Sequence, residues 1–300
     1  MQSVLLEEEK KVELIVEPEA EEKWDLVIEP KSGLFDLRLK EVWNYRDLLV
    51  LFVKRDFKAQ YKQTILGPLW HFIQPIFTTV VFLVVFSNIA NIPTDGIPPI
   101  LFYLSGITIW NYFASCLNGT SNTFVANAGI FGKVYFPRMI LPLATVLSNL
   151  VKFSIQFLLL LSLLIYFSIQ GVSINIGWSL LVLPLLLVVL AGLGLGLGII
   201  ISSLTTKYRD FSVLIGFGVQ LLMYATPVVY PLSFLVEKSY RWFIVWNPLT
   251  PLVEAFRYAL FGQGTVSASS ILYSFGFMLV ILLVGLIIFH KVERSFMDTV

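Results

Sequence analysis

Polar side chains recur at helical spacing in three otherwise apolar segments, and they are the groups in this chain best able to do chemistry. Residues three or four apart share one face of a helix. Polar groups are costly in hydrocarbon, so such a face points to a bundle interior, a partner subunit or water. Hydrogen bonding between helices explains each stripe alone, but three stripes together predict a path for a polar substrate. The stripes are His71, Gln74 and Thr78, then Asn111, Ser115, Asn118 and Asn122, and then Thr145, Asn149, Lys152 and Gln156, with Trp70 and Tyr224 assigned to the same path.

The charged and reactive residues do not form a catalytic set. Acidic residues beyond the N-terminal tail never pair at a spacing typical of acid–base or metal sites. His71 and His290 are the only histidines, and both lie near the ends of apolar segments, where an amphipathic ring is stable at an interface. The single cysteine, Cys116, cannot form an intrachain disulfide. We therefore predict no catalytic, metal or cofactor site on this chain, and Lys152 alone cannot form the relay of a proton-driven carrier.

Two glycine patterns resemble nucleotide-binding motifs but lack their geometry. Gly129 and Gly132-Lys133 have the wrong spacing for a phosphate loop, and Val134 stands where Ser or Thr would bind magnesium. Glycines at 192, 194, 196 and 198 lie inside one apolar segment, without the strand and turn of a dinucleotide site. They form two overlapping GxxxG pairs, which predict close helix packing. Any ATP and magnesium should therefore be bound by a separate subunit.

Six apolar segments are each long enough to cross a bilayer, since a fully apolar helix needs about 20 residues to span the hydrocarbon. They cover residues 66–88, 100–119, 140–168, 178–203, 211–230 and 270–290, and 57% of the chain is hydrophobic. Lysine and arginine number 11, 0, 2, 0, 2, 3 and 2 in the seven regions outside them. Because cytoplasmic loops keep the positive residues, both termini are expected in the cytoplasm. The predicted fold is an all-α integral membrane protein with six transmembrane helices.

Charge divides the first 65 residues into two parts. Residues 1–35 hold ten acids and four bases, a composition typical of an acidic cytoplasmic tail. Residues 36–64 hold seven bases and four acids, with apolar residues at roughly helical spacing. They predict an amphipathic interface helix in the inner headgroup layer, although a helix packed on a soluble partner is an alternative. Residues 65–300 then form the transmembrane domain.

The segment 231–269 is expected on the outer side of the membrane. It contains two short half-amphipathic pieces, Leu232 to Val245 and Pro251 to Phe261, and neither is long enough to span. Irregular backbone at membrane depth must be buried in protein or reached by water. The two pieces therefore predict short re-entrant helices, and Glu254 and Arg257, at i and i+3, are expected to pair.

Four local patterns, taken in their order, resemble the permease subunits of ABC-2 type transporters, and within that class the O-antigen and capsular polysaccharide exporters. They are Arg55-Asp56 and Tyr61 with Leu66-Gly67-Pro68-Leu69-Trp70 and Pro75, then Gly132 to Arg138, then Thr226 to Pro231, and finally Trp246 to Pro251 with Glu254 and Arg257. The resemblance covers about residues 36–300 and leaves the acidic tail outside it.

The resemblance implies a homodimer, similar to type V exporters, that works with two separate ABC ATPase subunits. It implies export of lipid-linked polysaccharide from the cytoplasm across the inner membrane, with membrane lipid but not nucleic acid among its partners. Contact with the ATPase is expected at Gly132, Lys133, Val134, Tyr135, Phe136, Pro137 and Arg138. An outer gate is expected at Tyr230, Trp246, Asn247, Pro248, Thr250, Glu254 and Arg257. Export of teichoic acid or a small drug, and a membrane-embedded glycosyl transferase, are the alternatives that the residues leave open.

Overall fold

The computed structural model describes residues 39–62, 64–131, 133–134, 136–171, 178–206, 208 and 210–296. The chain divides into two units, Met1–Asp36 and Leu37–Val300. The first unit, and with it the predicted acidic tail, lies outside the described residues. In the second unit every regular element that is described is a helix, in agreement with the predicted all-α class.

The long helices of the described part fall on the predicted apolar segments. Five of them are long and apolar enough to cross a membrane: Gly67–Ile89, Pro99–Ser121, Ile140–Ile169, Ser179–Thr205 and Ala268–Val292. The first of these begins with a 3-10 turn at Gly67–Leu69 and ends in a π-helical stretch at Leu83–Ile89. In chain order the α-helices are α1 (Leu39–Asn44), α2 (Arg46–Tyr61), α3 (Trp70–Phe82), α4 (Pro99–Ser121), α5 (Thr123–Phe131), α6 (Ile140–Ile169), α7 (Leu183–Thr205), α8 (Phe211–Tyr224), α9 (Arg241–Val245), α10 (Thr250–Phe261) and α11 (Ala268–Phe296).

Helix α4 is the centre of the bundle. It packs against α3, α6, α7 and α10, while α11 packs mainly against α7. In its most apolar stretch 78% of the residues are buried, compared with 17% for the spans Gly67–Ile89, Ile140–Ile169 and Ala268–Val292. The outer helices therefore keep wide apolar surfaces for lipid or for another chain.

Glycines allow α7 to approach both of its large neighbours closely. A Cβ atom at Gly194 would lie 2.8 Å from Cys116 Cβ on α4, and one at Gly196 would lie 2.8 Å from Ile281 on α11. Added Cβ atoms at Gly192 and Gly198 would overlap side chains of α11 and α4 respectively. The predicted packing role of the two GxxxG pairs is thus confirmed.

The fifth predicted segment, 211–230, is not one continuous helix. Helix α8 has 14 residues, which at 1.5 Å each give about 21 Å, less than the roughly 30 Å of a hydrocarbon core. Proline lacks an N–H group and disfavours helical backbone in the residue before it. Pro227 therefore prevents the helix from continuing, and Ala225 to Tyr230 follow as irregular backbone.

Two of the predicted short elements also differ from expectation. Residues 36–64 contain α1 and α2, which meet at Tyr45, in place of a single interface helix. The outer piece predicted from Leu232 to Val245 consists of a 3-10 turn at Leu232–Leu235 followed by the five-residue α9. The second outer piece agrees closely with α10.

Candidate functional site

Residues of α2, α3, α4 and α6 enclose a polar cavity of about 170 Å³, which we call the Lys152 pocket. The cavity brings together five members of the predicted path, namely His71, Gln74, Asn111, Lys152 and Gln156. Stripe residues Ser115 and Asn149 join them, and Gln60, Tyr112 and Phe153 complete the lining. Three stripes from three different helices therefore converge on one cavity.

Gln60 was missed by the prediction because residues 36–64 were expected in the headgroup layer and not beside the polar stripes. It lies near the end of α2, three residues after Phe57 and seven after Val53, on the apolar side of that helix. Helix α2 packs against α6, and this contact carries Gln60 to the edge of the membrane bundle. The basic composition of residues 36–64 pointed to the membrane surface but did not indicate which helices α2 contacts.

The inner part of the Lys152 pocket is buried, and its edge is open. Asn149 and Gln156 are buried, whereas Gln60 and Gln74 are exposed. Asn111 Nδ2 lies 3.5 Å from Gln156 Oε1, which is a long and weak hydrogen bond. The lining therefore retains polar groups that are not committed to strong contacts with one another.

Lys152 lies twelve residues after the first residue of α6, within a candidate span. Among the described residues it has no salt-bridge partner within 4.0 Å. Asp56 of α2 acts on it electrostatically. However, the Asp56 carboxylate already accepts two hydrogen bonds, at 2.7 and 2.9 Å, from the guanidinium of Arg55. Lys152 is thus a cation beside a polar cavity without an ion-pair partner of its own in the described chain.

Helix α2 is tied to the first span next to the Lys152 pocket. The Tyr61 hydroxyl hydrogen-bonds with Nε2 of His71, and the two rings meet edge to face with centroids 5.4 Å apart. Phe57 contacts Tyr61 at a centroid distance of 4.7 Å. Burial raises the pKa of the Tyr61 phenol, so this residue stays protonated and neutral. These contacts therefore join the end of α2, which contributes Gln60 to the cavity, to the first span.

The remaining residues of the predicted path lie away from the Lys152 pocket. Asn118 and Asn122 are exposed, and Asn122 donates only a long hydrogen bond of 3.5 Å to the Asn118 carbonyl. Trp70 is exposed near the start of the first span. Tyr224, with Tyr230, lines a separate and mostly apolar cavity of about 390 Å³ between α8 and the outer segment. None of these residues is among the described lining of the Lys152 pocket.

The helix α10 carries a buried charge cluster, which we call the Arg257 cluster. Arg257 is 2% exposed, and it donates Nη1 to the Pro227 carbonyl and Nη2 to the Val228 carbonyl, both at 2.6 Å. Its guanidinium carbon lies 3.7 Å from the centroid of the Phe102 ring, a cation–π contact. The predicted pair with Glu254 is present, with Nη1 and Oε1 3.6 Å apart. Arg257 thus satisfies two carbonyls that the break at Pro227 frees from a helix.

Glu254 holds the other side of the Arg257 cluster. Its Oε2 accepts a hydrogen bond of 3.3 Å from the Thr265 amide. Burial raises the pKa of the Glu254 carboxyl, and the charge of Arg257 opposes this rise. Burial likewise lowers the pKa of Arg257 to about 10, against the attraction of Glu254. At neutral pH the guanidinium therefore keeps its charge.

Hydrogen bonds also fix the loop that precedes α10. Asn247 Nδ2 donates to the Thr226 hydroxyl at 2.9 Å and to the Ala225 carbonyl at 3.0 Å. Thr250 donates its hydroxyl to the Ile244 carbonyl at 2.6 Å. These bonds join the predicted gate residues to the irregular backbone after α8. The loop and that backbone therefore form one connected unit.

The other predicted gate residues sit around this unit. The Pro248 carbonyl accepts a bond of 2.7 Å from Ser274 on α11. Tyr230 donates its hydroxyl to the Tyr224 carbonyl at 2.8 Å, and Trp246 is exposed. The predicted gate thus consists of hydrogen-bonded residues and one exposed aromatic ring, that of Trp246, in one outer segment.

The segment predicted to contact the ATPase is described only in part. Gly132 and Tyr135 lie outside the described residues. Lys133 is exposed, and Val134 is 60% exposed despite its apolar side chain. Of the described residues in this segment, these two are the ones placed to meet a partner.

Phe136 instead packs inside the chain. It is 5% exposed, and its ring centroid lies 5.7 Å from that of Phe52 on α2 and 5.9 Å from that of Phe131 on α5. The guanidinium of Arg138, after the half-buried Pro137, lies 5.2 Å from the Phe131 ring centroid. Phe136 therefore connects the segment to the interface helix rather than offering its ring to another protein.

Comparison with known proteins agrees with this architecture. The profile of the family described as ABC-2 type transporter matches residues 47–261, and the chain belongs to this family. An O-antigen export system permease protein RfbA of Klebsiella pneumoniae is 31% identical over 255 residues, which cover 84% of this chain and 94% of that protein. RfbA of Myxococcus xanthus is 25% identical, with 87% and 98% covered. The polysialic acid transport protein KpsM of Escherichia coli is 24% identical, with 82% and 93% covered.

Proposed function

We propose that this chain is the permease subunit of an ATP-driven ABC exporter that moves a lipid-linked polysaccharide, such as an O-antigen, from the cytoplasm across the inner membrane. The observation that carries the proposal is the match to O-antigen export permeases along 94% and 98% of their lengths. The similarity to a polysialic acid transport protein supports the same substrate class. Because no nucleotide motif is present in the sequence, ATP hydrolysis is assigned to two separate ABC ATPase subunits.

Six membrane crossings are part of this proposal. Five spans are complete helices, and the sixth crossing consists of α8 and the irregular backbone that follows it. Such backbone is tolerated at membrane depth where protein buries it. Thr226, Pro227, Val228 and Val229 are all buried, which supports this assignment. The loop, α9 and α10 are then the re-entrant elements on the outer side, and both termini lie in the cytoplasm.

A homodimer is also part of the proposal, and the size of the substrate supports it. The Lys152 pocket, at about 170 Å³, is too small for a glycan chain to pass through. A wider path requires a second surface, and α8 offers an unpaired apolar face that includes Val213, Leu214, Phe217 and Leu221, with Val213 77% exposed. We place the translocation path between two copies of the chain, beside α8 and the first span. Trp70, Asn118, Asn122 and Tyr224, all exposed, are then free to line it.

Coupling to ATP hydrolysis is assigned to the segment 132–138. Lys133 and Val134 provide its exposed contact, while Phe136 joins the segment to α2. A push on the segment would thereby move the interface helix and the wall of the Lys152 pocket together.

Val134→Asp is expected to uncouple hydrolysis from export without loss of membrane insertion. Val236, a valine of the outer segment, is equally exposed, and Val236→Asp should have no effect on coupling.

The test uses purified protein in proteoliposomes. The chain alone should hydrolyse no ATP above background, and hydrolysis should appear only with an added ABC ATPase subunit. In cells that lack their own O-antigen permease, this chain and its ATPase should restore surface polysaccharide. ATP hydrolysis by the chain alone, or restored drug efflux without restored polysaccharide, would contradict the proposal.

A further inference from the structure

We propose that the Lys152 pocket is a binding site for a phosphate group. The inference rests on the proposed function only for the physiological source, since a lipid-linked glycan exported from the cytoplasmic leaflet would present such a group. The charge, hydrogen-bonding capacity and size of the cavity support the site itself.

The charge of the pocket lining is positive and is not balanced within the cavity. Lys152 supplies the positive charge, and no acidic residue is among the described lining residues. His71, which also lines the cavity, interacts electrostatically with Lys152. The carboxylate that acts electrostatically on Lys152 in the described chain is that of Asp56, which is already bonded to Arg55. A cation within a membrane span is costly without a partner, and an anion in the cavity would provide one.

The hydrogen-bonding groups of the pocket also suit an oxyanion. Lysine donates three N–H groups, each carboxamide donates two, and phosphate oxygens are strong acceptors. Within the described part of the chain, the side chains of Gln60 and Gln74 have no hydrogen bond, and Asn111 and Gln156 share only the weak contact of 3.5 Å. The five carboxamides of the lining are those of Gln60, Gln74, Asn111, Asn149 and Gln156.

The size and position of the pocket select a phosphate over a sugar. A volume of about 170 Å³ corresponds to roughly 11 to 17 waters at 10–15 Å³ each, which accommodates a phosphate or a diphosphate. Tyr112 and Phe153 are only 4% and 5% exposed, so neither ring face is available for stacking on a sugar. The open edge lies beside α2 at Gln60, and the exposed Lys58 on this helix and Lys62 just after it would attract anionic headgroups to it.

Farnesyl phosphate is a suitable probe, with farnesol, octyl glucoside and inorganic phosphate as comparisons. The full-length chain is purified in lauryldimethylamine oxide, a detergent that contains neither phosphate nor sugar, and binding is measured by isothermal titration calorimetry. Lys152→Gln should weaken farnesyl phosphate binding at least tenfold, and Lys152→Arg should stay within threefold of the original. Lys54→Gln, which removes an exposed charge of α2 outside the pocket, should leave binding unchanged.

The source of the phosphate is decided by the comparison ligands. Weaker binding of inorganic phosphate than of farnesyl phosphate supports a lipid headgroup, and equal binding supports free phosphate in the same site. Binding of farnesol or octyl glucoside as tight as that of farnesyl phosphate would overturn the proposal. So would a Lys152→Gln chain that binds farnesyl phosphate as the original does.

A second variant covers the case in which Lys152→Gln does not fold. Gln156→Glu keeps the shape of a buried lining residue but adds a negative charge, and it should abolish phosphate binding, whereas retained binding would overturn the site. The measurement needs neither the ATPase nor transport. A chain that restores polysaccharide export but binds no farnesyl phosphate would overturn the pocket assignment alone, and one that binds but exports no polysaccharide would overturn the proposed function alone.

Discussion

The Arg257 cluster and the Lys152 pocket each place a cation away from bulk solvent, but their surroundings are opposite. Arg257 is bonded to two carbonyls, lies over the Phe102 ring and pairs with Glu254. Lys152 borders an open cavity, and in the described chain no carboxylate pairs with it. The same central helix, α4, contributes to both, through Phe102 near its start and Asn111 further along.

Because of this difference, we expect Arg257 to stabilise the fold and Lys152 to bind a ligand. A buried charge that is paired and hydrogen-bonded contributes strongly to stability once it is present, because removing one partner leaves the others unsatisfied. A charge that faces an open cavity can still bind a ligand, and it contributes little to the stability of the fold. Substitutions at the two sites should therefore change stability and ligand binding in opposite ways.

The largest effect is expected for Arg257→Met. The substitution removes the donors to the Pro227 and Val228 carbonyls and leaves Glu254 buried without its cation. Removing one partner of a buried ion pair costs about 4 kcal/mol, so we expect a loss of that order in the free energy of unfolding. The measurement is a dodecyl sulfate titration of the purified chain. Lys238→Met, an exposed cation of the same outer segment, is the control and should unfold as the original does.

A smaller loss is expected for Gly106→Ala. The new Cβ would lie 2.6 Å from the Val228 carbonyl oxygen and 2.8 Å from Arg257 Nη2. Such overpacking of a tight core costs about 2 kcal/mol, and the same titration reports it. Gly216→Ala, on α8 with no atom within 4 Å of its added Cβ, should be neutral or slightly stabilising. Equal stability of the two variants would mean that the backbone around Arg257 is looser than the contacts indicate.

Glu254→Gln should be milder still. The ion pair of 3.6 Å is longer than a hydrogen bond, and Arg257 would keep both carbonyls and the Phe102 ring. The new carboxamide oxygen can still accept from the Thr265 amide. We expect a loss of about 1.5 kcal/mol, near the value of one hydrogen bond to a charged group. A loss as large as that of Arg257→Met would show that charge balance, not the carbonyl bonds, holds the cluster.

Lys152→Leu is the substitution of this set that should cause no loss of stability. A lysine at the centre of a membrane helix costs about 2.5–3.5 kcal/mol relative to hydrocarbon-compatible residues, and nothing in the described chain pairs with this one. The free energy of unfolding should stay unchanged or rise, while farnesyl phosphate binding is lost. If Lys152→Leu instead destabilises the chain as Arg257→Met does, the contrast between the two cations is wrong.

Much of the fold was predictable from the sequence. Long apolar runs predicted the five complete spans, the GxxxG pairs predicted the close approach of α7, and the i, i+3 spacing predicted the pairing of Glu254 with Arg257. These features are local, because they depend on hydropathy and on the helical repeat alone. The break in 211–230 was missed since hydropathy does not register that Pro227 ends a helix in the middle of an apolar run.

The candidate site was predictable only in its parts. Helical spacing correctly grouped His71 with Gln74 and Lys152 with Gln156, but it treated Asn118 and Asn122 as equivalent to Asn111. Phe136 was expected at a partner surface, and its ring instead contacts Phe52. In each case the sequence identifies residues that share a face and not the neighbour that this face meets.

The sequence by itself determined that this chain is a helical membrane protein, because the cost of exposing polar groups to hydrocarbon acts on each segment separately. Only the tertiary structure decided which polar groups are satisfied. Arg257 donates hydrogen bonds to the carbonyls of Pro227 and Val228, about 30 residues away, and Lys152 borders a cavity that four helices line. Hydrogen bonding and charge balance depend on distances of a few ångströms between distant parts of the chain, and only the packed bundle sets those distances.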